Sequence, residues 1–448
     1  MSIGIIGAGI SGLTLAYELE RNGIDYHIWE AADQPGGYIQ SRWKTGPYGQ
    51  QYLCELGPNS LLGDASLLQW LDELGLTPEL VFSRPVSKAR YVFRKGQYRQ
   101  LPAGPASLLF GSFFSWKTKL AIFRERNNTT LSPDGETLDA FFRRRFNNEL
   151  VDYALTPFVA GVYAGEPSQL LVSETVPVLL QFEKNYGSVL RGLIKNQSAS
   201  GRRQSFSFRN GMQTLPNTLA ANVTNLSLNT PVERIDRTGD GWLVETASGN
   251  QTVDELVLAV GTDAAARLLA SHYADFANAL RQVVYPPMTV IHSTYKRADV
   301  KHPLNGFGGL NPSIEGCFAT GHIWSSSVFD GRCPHNEVLI TTMVGGQTNE
   351  RNAYLADDVL AENVHTELAS SFGIRADKPL FRAITRWPRA IPQYNAQIID
   401  VRRRAKALEN EGLRMCANWL QGVSVSDCIG KARQVANQLS HNSLINKF

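Results

Sequence analysis

The chain has 448 residues, enough for two or three domains around a large buried core. Its 43% hydrophobic and 19% charged residues are ordinary for a globular protein, and no apolar run is long enough to span a bilayer. Lys and Arg number 44 against 41 Asp and Glu, a net charge of +3 with no compact basic run, which excludes bulk nucleic-acid binding.

Met1-Ser2 leads straight into an apolar strand without a basic leader, so no signal peptide is expected. "IGIIGAGISGLTLAYELERNGIDYHIWEA" then reads as strand, glycine turn, helix and strand. Ile3, Ile5 and Ile6 form a buried parallel strand. Gly7, Gly9 and Gly12 give G-x-G-x-x-G where strand meets helix. The first permits the tight turn, the second lets a pyrophosphate reach the backbone, and the third lets the helix pack on the sheet. Phosphate oxygens then meet free N–H groups at the helix start. The strand Tyr26 to Trp29 ends in Glu30, placed to accept hydrogen bonds from an adenosine ribose. These features together point to a dinucleotide.

A second glycine pair, Gly36-Gly37, follows Glu30 closely, where NAD domains run on into another crossover helix. This arrangement resembles the flavoprotein oxidases of the amine-oxidase and glutathione-reductase-like superfamily, although Tyr38 stands where many members carry Arg. "ELGPNS" is a turn signal, expected to form a loop under the flavin.

Residues 66 to 81 predict a helix ending at Gly75 and Pro78. "ARYVFRKGQYRQLP" predicts a hairpin turning at Lys95-Gly96. From 103 to 155 the chain reads helical, with Ser132 or Thr137 as caps. Within it, Leu108, Leu109, Phe110, Phe113, Phe114 and Trp116 are mixed with Lys117, Lys119, Arg124 and Arg126. That composition fits a face lying in a bilayer interface, and equally a core helix with a solvated basic edge. From 205 to 262 come a helix, a hairpin in "TPVERIDRTGDGWLVETASG" and the buried strand "VDELVLAV". Three β-rich runs lie between 283 and 347, and a helix near 354 to 372. "GLRMCANWLQGVSV" is a strand running into a loop, and a final helix starts at Ser426. That helix start offers N–H groups to the flavin pyrimidine, so the chain is expected to return and complete the site it begins at its first residues. The five cysteines, Cys54, Cys317, Cys333, Cys416 and Cys428, form no C-x-x-C pair, so neither a metal site nor a disulfide framework is expected; they read as reduced thiols in a cytosolic setting.

"IIGAGISGL", "PGGYIQS", "ELGPNS", "GVYAGEPSQL", "GFGGL", "IPQY" and "NWLQGVSVSDCI" together resemble the oxygen-dependent protoporphyrinogen IX oxidase family, in family order from Gly4 to Cys428. The resemblance implies an α/β protein with a discontinuous Rossmann-type FAD-binding domain (1–65, 203–275 and 385–448). It adds an α+β substrate domain (66–102, 160–202 and 276–384) and a helical, membrane-associating domain (103–159). It implies FAD-dependent removal of six electrons from a porphyrinogen, with oxygen reduced to hydrogen peroxide. The flavin, held non-covalently, would contact Gly7, Ala8, Gly9, Ile10, Ser11, Gly12, Glu30, Ala31, Gly37, Tyr38, Gly57, Pro58, Asn59 and Ser60, with Val232 flanking the adenine. Asn418, Val423, Ser424 and Val425 would line the isoalloxazine. Arg90 would take a propionate, Gly161 would bring backbone against the macrocycle, and Phe307 and Leu310, with Met343 opposite, would clamp the pyrrole rings. The family also implies peripheral attachment to the inner face of the cell membrane, exchange with a neighbouring heme-pathway enzyme, and leaves a homodimer open.

No acid/base pair stands out; His292, His302 and His322 read as ordinary polar positions, no metal is implied, and FAD is the reactive group. Arg90, Arg94 and Lys95 leave open the same chemistry on coproporphyrinogen III, which has four propionates. A flavin amine oxidase and a non-catalytic flavin or tetrapyrrole carrier are the other readings; against the former, Ala417-Asn418 stands where amine oxidases usually carry Gly-Glu.

Overall fold

The strand Ser2–Ile6 pairs in parallel with Asp25–Trp29 on one side and Glu255–Leu258 on the other. The computed structural model describes residues 1–196, 203–239 and 241–445. Among these, the sheet has five parallel strands in the order Leu226–Ser227, Asp25–Trp29, Ser2–Ile6, Glu255–Leu258 and Leu413–Met415. Strands from near residues 1, 255 and 413 thus meet in one sheet. Continuous apolar runs build it because both faces are covered. The helices Ile10–Arg21 and Val425–Ile445 pack together over one face through Leu13, Ala16, Ile429, Ala432 and Ala436. The antiparallel strands Val232–Thr238, Gly241–Thr246 and Gly249–Val253 and the helix Thr262–Leu269 cover the other, around Trp242 and Trp419.

A second, mainly antiparallel sheet has seven strands among the described residues. It runs Phe381–Trp387, Met288–Lys296, Glu337–Gly345, Gly321–Ile323, Gly308–Leu310, Tyr91–Arg94 and Gln97–Gln100. The expected hairpin turn is there: Lys95 and Gly96 both have positive φ (53° and 78°), the geometry whose twist matches paired strands. Helix Asp357–Phe372 buries Leu360, Val364, Leu368 and Phe372 against this sheet.

Between the sheets' connections lie the helices Pro105–Phe110, Trp116–Glu125, Leu138–Arg145, Thr156–Tyr163 and Pro177–Tyr186. Thr137 caps Leu138–Arg145, accepting the Ala140 N–H, as expected. Ser132 caps nothing; its hydroxyl donates to Glu183 at 2.7 Å. Glu183 also meets Arg145, whose other arm reaches Glu125, in a fully buried ionic cluster at 2.5 Å. Phe113 and Phe114 follow the core reading of this region, turning inward onto Val92 of the hairpin. One expectation changes: Lys119, read as part of a basic edge, is buried, its ammonium donating to the Leu109 and Gly111 carbonyls that end the preceding helix. What stays outside is Phe110, Trp116 and Phe123, at 85%, 72% and 61% exposure. No helix among the described residues is long and apolar enough to cross a membrane.

Candidate functional site: a nucleotide cleft beside an apolar platform

The cleft opens where the first strand ends. Gly7 takes φ = 105°, and its N–H donates to the Trp29 carbonyl at 2.8 Å. A Cβ on Gly12 would overlap the Gly7 carbonyl oxygen, so the helix sits as close to the turn as a glycine allows. No side chain caps this helix at Gly9. A Cβ added at Gly9 meets nothing within 4 Å, so the backbone there faces open space, as an incoming phosphate requires. The second glycine loop is stitched onto the first: the Gly36 N–H donates to the Ala8 carbonyl at 2.8 Å, with Gly36 at φ = 119°. Glu30 holds both loops, accepting from the Ala8 N–H at 2.6 Å and the Ala32 N–H at 2.8 Å.

The cleft measures about 250 Å3. Gly7, Gly9, Ile10, Ser11, Glu30, Gly37, Tyr38, Pro58, Asn418, Val423 and Val425 line it. The remaining expected flavin residues stand around it. Ala8 is buried and serves the Glu30 and Gly36 contacts. Gly12 and Gly57 are close-packing positions, Gly57 against the Tyr38 carbonyl. Ala31 lies on the loop after Glu30. Ser60 and Ser424 open onto an adjoining cavity with Val425. Val232 is buried on its strand, two residues beyond Thr230, whose N–H donates to the Glu30 carbonyl. Asn59 faces away from the cleft, into a small chamber with Phe307.

Sequence reasoning missed Ala259, Val260 and Gly261, which also line the cleft. The signal was present: a buried strand ending in small residues just before a helix, the pattern read correctly at Gly7. Cys428 lines it too, with its thiol pushed up to about 11 by burial, so it stays protonated and a poor nucleophile at neutral pH.

The returning segment is held firmly. Ser424 and Asp427 form a capping box, the hydroxyl donating to the carboxylate at 2.6 Å and accepting the Asp427 N–H at 3.1 Å. Trp419 donates to the Val260 carbonyl at 3.0 Å, and Tyr394 donates to the Asn418 carbonyl. Gln393, beside Tyr394, donates to the Tyr163 carbonyl at 2.7 Å. The "GVYAG", "IPQY" and "NW" segments are thereby one connected unit.

Of the expected substrate residues, Leu310 and Met343 stand on the second sheet, Arg90 and Phe307 each just before one of its strands, and Gly161 on the helix Thr156–Tyr163. Leu310 pairs with Gly321, which pairs in turn with Met343, so the two side chains flank one strand on the same face. Gly161 lies against Leu310: a Cβ there would come within 2.8 Å of its Cδ2. Arg90 lies flat on Phe307, its guanidinium carbon 3.7 Å from the ring centroid. Its Nη1 donates to the Ser87 carbonyl at 2.9 Å, and no carboxylate among the described residues pairs with it. Arg94 by contrast is ion-paired with Glu149 at 2.5 Å. His322 hydrogen-bonds Thr342 at 2.9 Å and His302 accepts from the Leu304 N–H at 3.0 Å, as ordinary polar positions do. His292 differs: it is 0% exposed and neither ring nitrogen has a hydrogen-bond partner.

A Rossmann-type cleft with two glycine loops, closed by a returning C-terminal helix and set beside a mixed sheet, defines a flavin-dependent oxidoreductase. The chain belongs to the flavin containing amine oxidoreductase family, whose model matches residues 10–440. It is 31% identical to the mitochondrial protoporphyrinogen oxidase of Nicotiana tabacum, over 97% of this chain and 94% of that protein. The protoporphyrinogen oxidase of Bos taurus is 28% identical, over 96% and 97%. Among solved structures, a candidate protoporphyrinogen oxidase from Exiguobacterium sp. 255-15 superposes with a TM-score of 0.80 at 22% identity, covering 98% of this chain and 99% of that one. A putrescine oxidase superposes at 0.70 with 16% identity, covering 98% and 99%. The cofactor is FAD, and the cleft fits it: open backbone at Gly9, an uncapped helix start and a carboxylate, Glu30, on its lining.

Proposed function

We propose that the chain oxidises protoporphyrinogen IX to protoporphyrin IX, with oxygen as acceptor and hydrogen peroxide as by-product. The observation that carries this reading is the Arg90–Phe307 stack beside Leu310 and Met343. A porphyrinogen is a broad apolar ring with acidic tails, and it calls for apolar walls with few polar anchors. FAD, when bound, supplies the hydride acceptor. The protein's part is placement. Arg90 offers a planar fork to a propionate, and an arginine already braced on an aromatic ring loses little freedom in binding. Phe307, Leu310 and Met343 give the ring flat apolar contact, and Gly161 lets Leu310 pack closely against the helix Thr156–Tyr163. The near-full-length likeness to the tobacco and bovine proteins supports the same assignment.

Two propionates rather than four also suit the rim. Of the hairpin cations, Arg94 is already neutralised by Glu149, which leaves less positive charge for coproporphyrinogen III. Oxygen uptake with each porphyrinogen, followed by porphyrin fluorescence without added nicotinamide, tests the reading. Turnover of coproporphyrinogen alone overturns the substrate; turnover of amines alone overturns the class of reaction.

The exposed Phe110, Trp116 and Phe123, with Lys117 and Arg124 beside them, support peripheral membrane attachment through this helical face. The flavin contacts of Ala31, Ser60, Val232 and Ser424 belong to the same proposal.

A further inference from the structure

Behind the loop Gly57–Ser60 lies a small chamber lined by Glu55, Asn59, Phe307, Ser325, Arg332 and Thr341 among others. Pro58 faces the nucleotide cleft and its neighbour Asn59 faces this chamber, so the loop separates the two. Its volume, about 10 Å3, is at the lower limit for a single ordered water.

Glu55 is 4% exposed. One carboxylate oxygen accepts from the Ser41 hydroxyl at 2.5 Å and the other from the Met212 N–H at 3.0 Å. Arg332, the cation facing it, stands off at 4.0 Å, with its Nη2 buried and unpartnered. A buried pair kept for stability gains most when it closes to hydrogen-bonding distance. Here the pair stays apart, and the chamber it lines reaches Phe307 of the platform. At the far side, Ser325 and Thr341 share a hydroxyl contact at 2.7 Å.

We infer that Glu55, supported by Arg332, takes the proton that leaves the substrate ring at each oxidation step, through one water in this chamber. This rests on the porphyrinogen reading. Each of three steps breaks a meso C–H bond with its electron pair and releases one proton; in two of them a pyrrole N–H bond breaks as the proton, and in one a second meso C–H bond does so as the ring tautomerises. The electrons of the bond that loses the proton remain in the ring as a new double bond, and an O–H bond forms on Glu55. The electron pair taken from carbon ends on dioxygen, and each hydrogen peroxide carries the hydride's hydrogen plus one proton. The proton held by Glu55 balances that second one.

The electrostatics agree. Burial pushes the Glu55 carboxyl up to about 7, against the opposing pull of Arg332, Ser41 and the Met212 N–H, so it exchanges a proton near neutral pH. The other titratable groups facing it are Cys54 on its own strand, held neutral by burial with its thiol near 12, and His292 behind it, which burial pushes down to about 4. Neither competes for the proton at pH 7.

Infrared difference spectra of the FAD-loaded protein without substrate, wild type against Glu55→Gln, should show a protonated-carboxyl band that titrates near pH 7 and is missing from the variant. Glu55→Gln should lower kcat roughly a hundredfold and abolish its acidic limb, with KM little changed. Thr341→Val should lower kcat while keeping the band, and it decides the matter if Glu55→Gln fails to retain flavin. A band titrating in the ordinary carboxylate range, or wild-type kcat and pH profile in both variants, overturns the inference alone. No porphyrinogen turnover by the wild type overturns the parent reading and this one with it.

Discussion

The Arg90 guanidinium carbon sits 3.7 Å from the centroid of the Phe307 ring, so the proposed propionate anchor and the proposed ring clamp are one physical unit. Arg90→Ala should raise KM roughly ten- to a hundredfold, the worth of a charge-assisted hydrogen bond, while kcat falls little. The reason is position: a peripheral carboxylate contact is the same in ground and transition states. Arg90→Lys should recover only part, because an ammonium lacks both the fork and the stacking face. Phe307→Ala removes the brace as well as the clamp and should raise KM and lower kcat together. Steady-state kinetics at fixed oxygen check all three; unchanged kinetics in Arg90→Ala would place the anchor elsewhere.

Glu30 does two things at once. It lines the nucleotide cleft, and it ties Ala8 to Ala32 across the glycine loops. Glu30→Ala should therefore weaken FAD binding by about 1.5–3 kcal/mol. Glu30→Gln, which keeps one acceptor for the Ala8 N–H, should lose less. Quenching of flavin fluorescence on titration into the apoprotein measures both.

The core of the nucleotide cleft was legible because its signals are local. Strand, glycine turn, helix and acidic strand end fall within thirty or so residues, and each sets backbone geometry directly. The return of the chain at Gly422 was legible for the same reason, a turn followed by a helix start. Non-local pairings were not. Lys119 reads as a rim cation, yet the end of the preceding helix leaves carbonyls that capture it. Phe113 and Phe114 read equally as a membrane-facing surface and as core, because nothing nearby names Val92 as their partner. Glu55 reads as the first letter of a turn motif; its burial comes from Ser41, Met212 and Arg332, far apart in the chain.

Gln393 holds "GVYAG" to "IPQY" by donating to the Tyr163 carbonyl at 2.7 Å and to the Ile391 carbonyl at 3.0 Å. At 1% exposure, no water replaces it easily. Gln393→Ala should cost about 1–3 kcal/mol by stranding those carbonyls. Gln393→Glu should be worse, since a carboxylate brings acceptors to acceptors. Chemical denaturation of the three proteins at constant FAD decides it; equal midpoints would show that the two segments are held by other contacts.

Phe110 and Trp116 should anchor the protein to lipid if the exposed helical face lies in a bilayer interface. Phe110→Ser with Trp116→Ser should reduce sedimentation with anionic vesicles severalfold, since each large apolar side chain is worth about 1.5–3 kcal/mol on burial. Turnover in detergent should be unchanged. Equal sedimentation of variant and wild type would remove this face as the attachment site.

Glu55 also predicts how stability depends on pH. Its carboxyl is raised from 4.5 to about 7 by burial, so the folded state holds a proton that the unfolded state releases. Between those values the folded protein binds more protons, and stability falls as pH rises. The contribution is complete below pH 4.5 and lost as pH passes about 7, an effect of roughly 3 kcal/mol. Glu55→Gln cannot titrate. Denaturation free energies of wild type and Glu55→Gln, measured in steps from pH 5 to 8, should therefore change in the variant's favour across that range, whatever their offset at pH 5. A constant difference would mean that Glu55 is already ionised at pH 5, paired with Arg332 more closely than 4.0 Å allows.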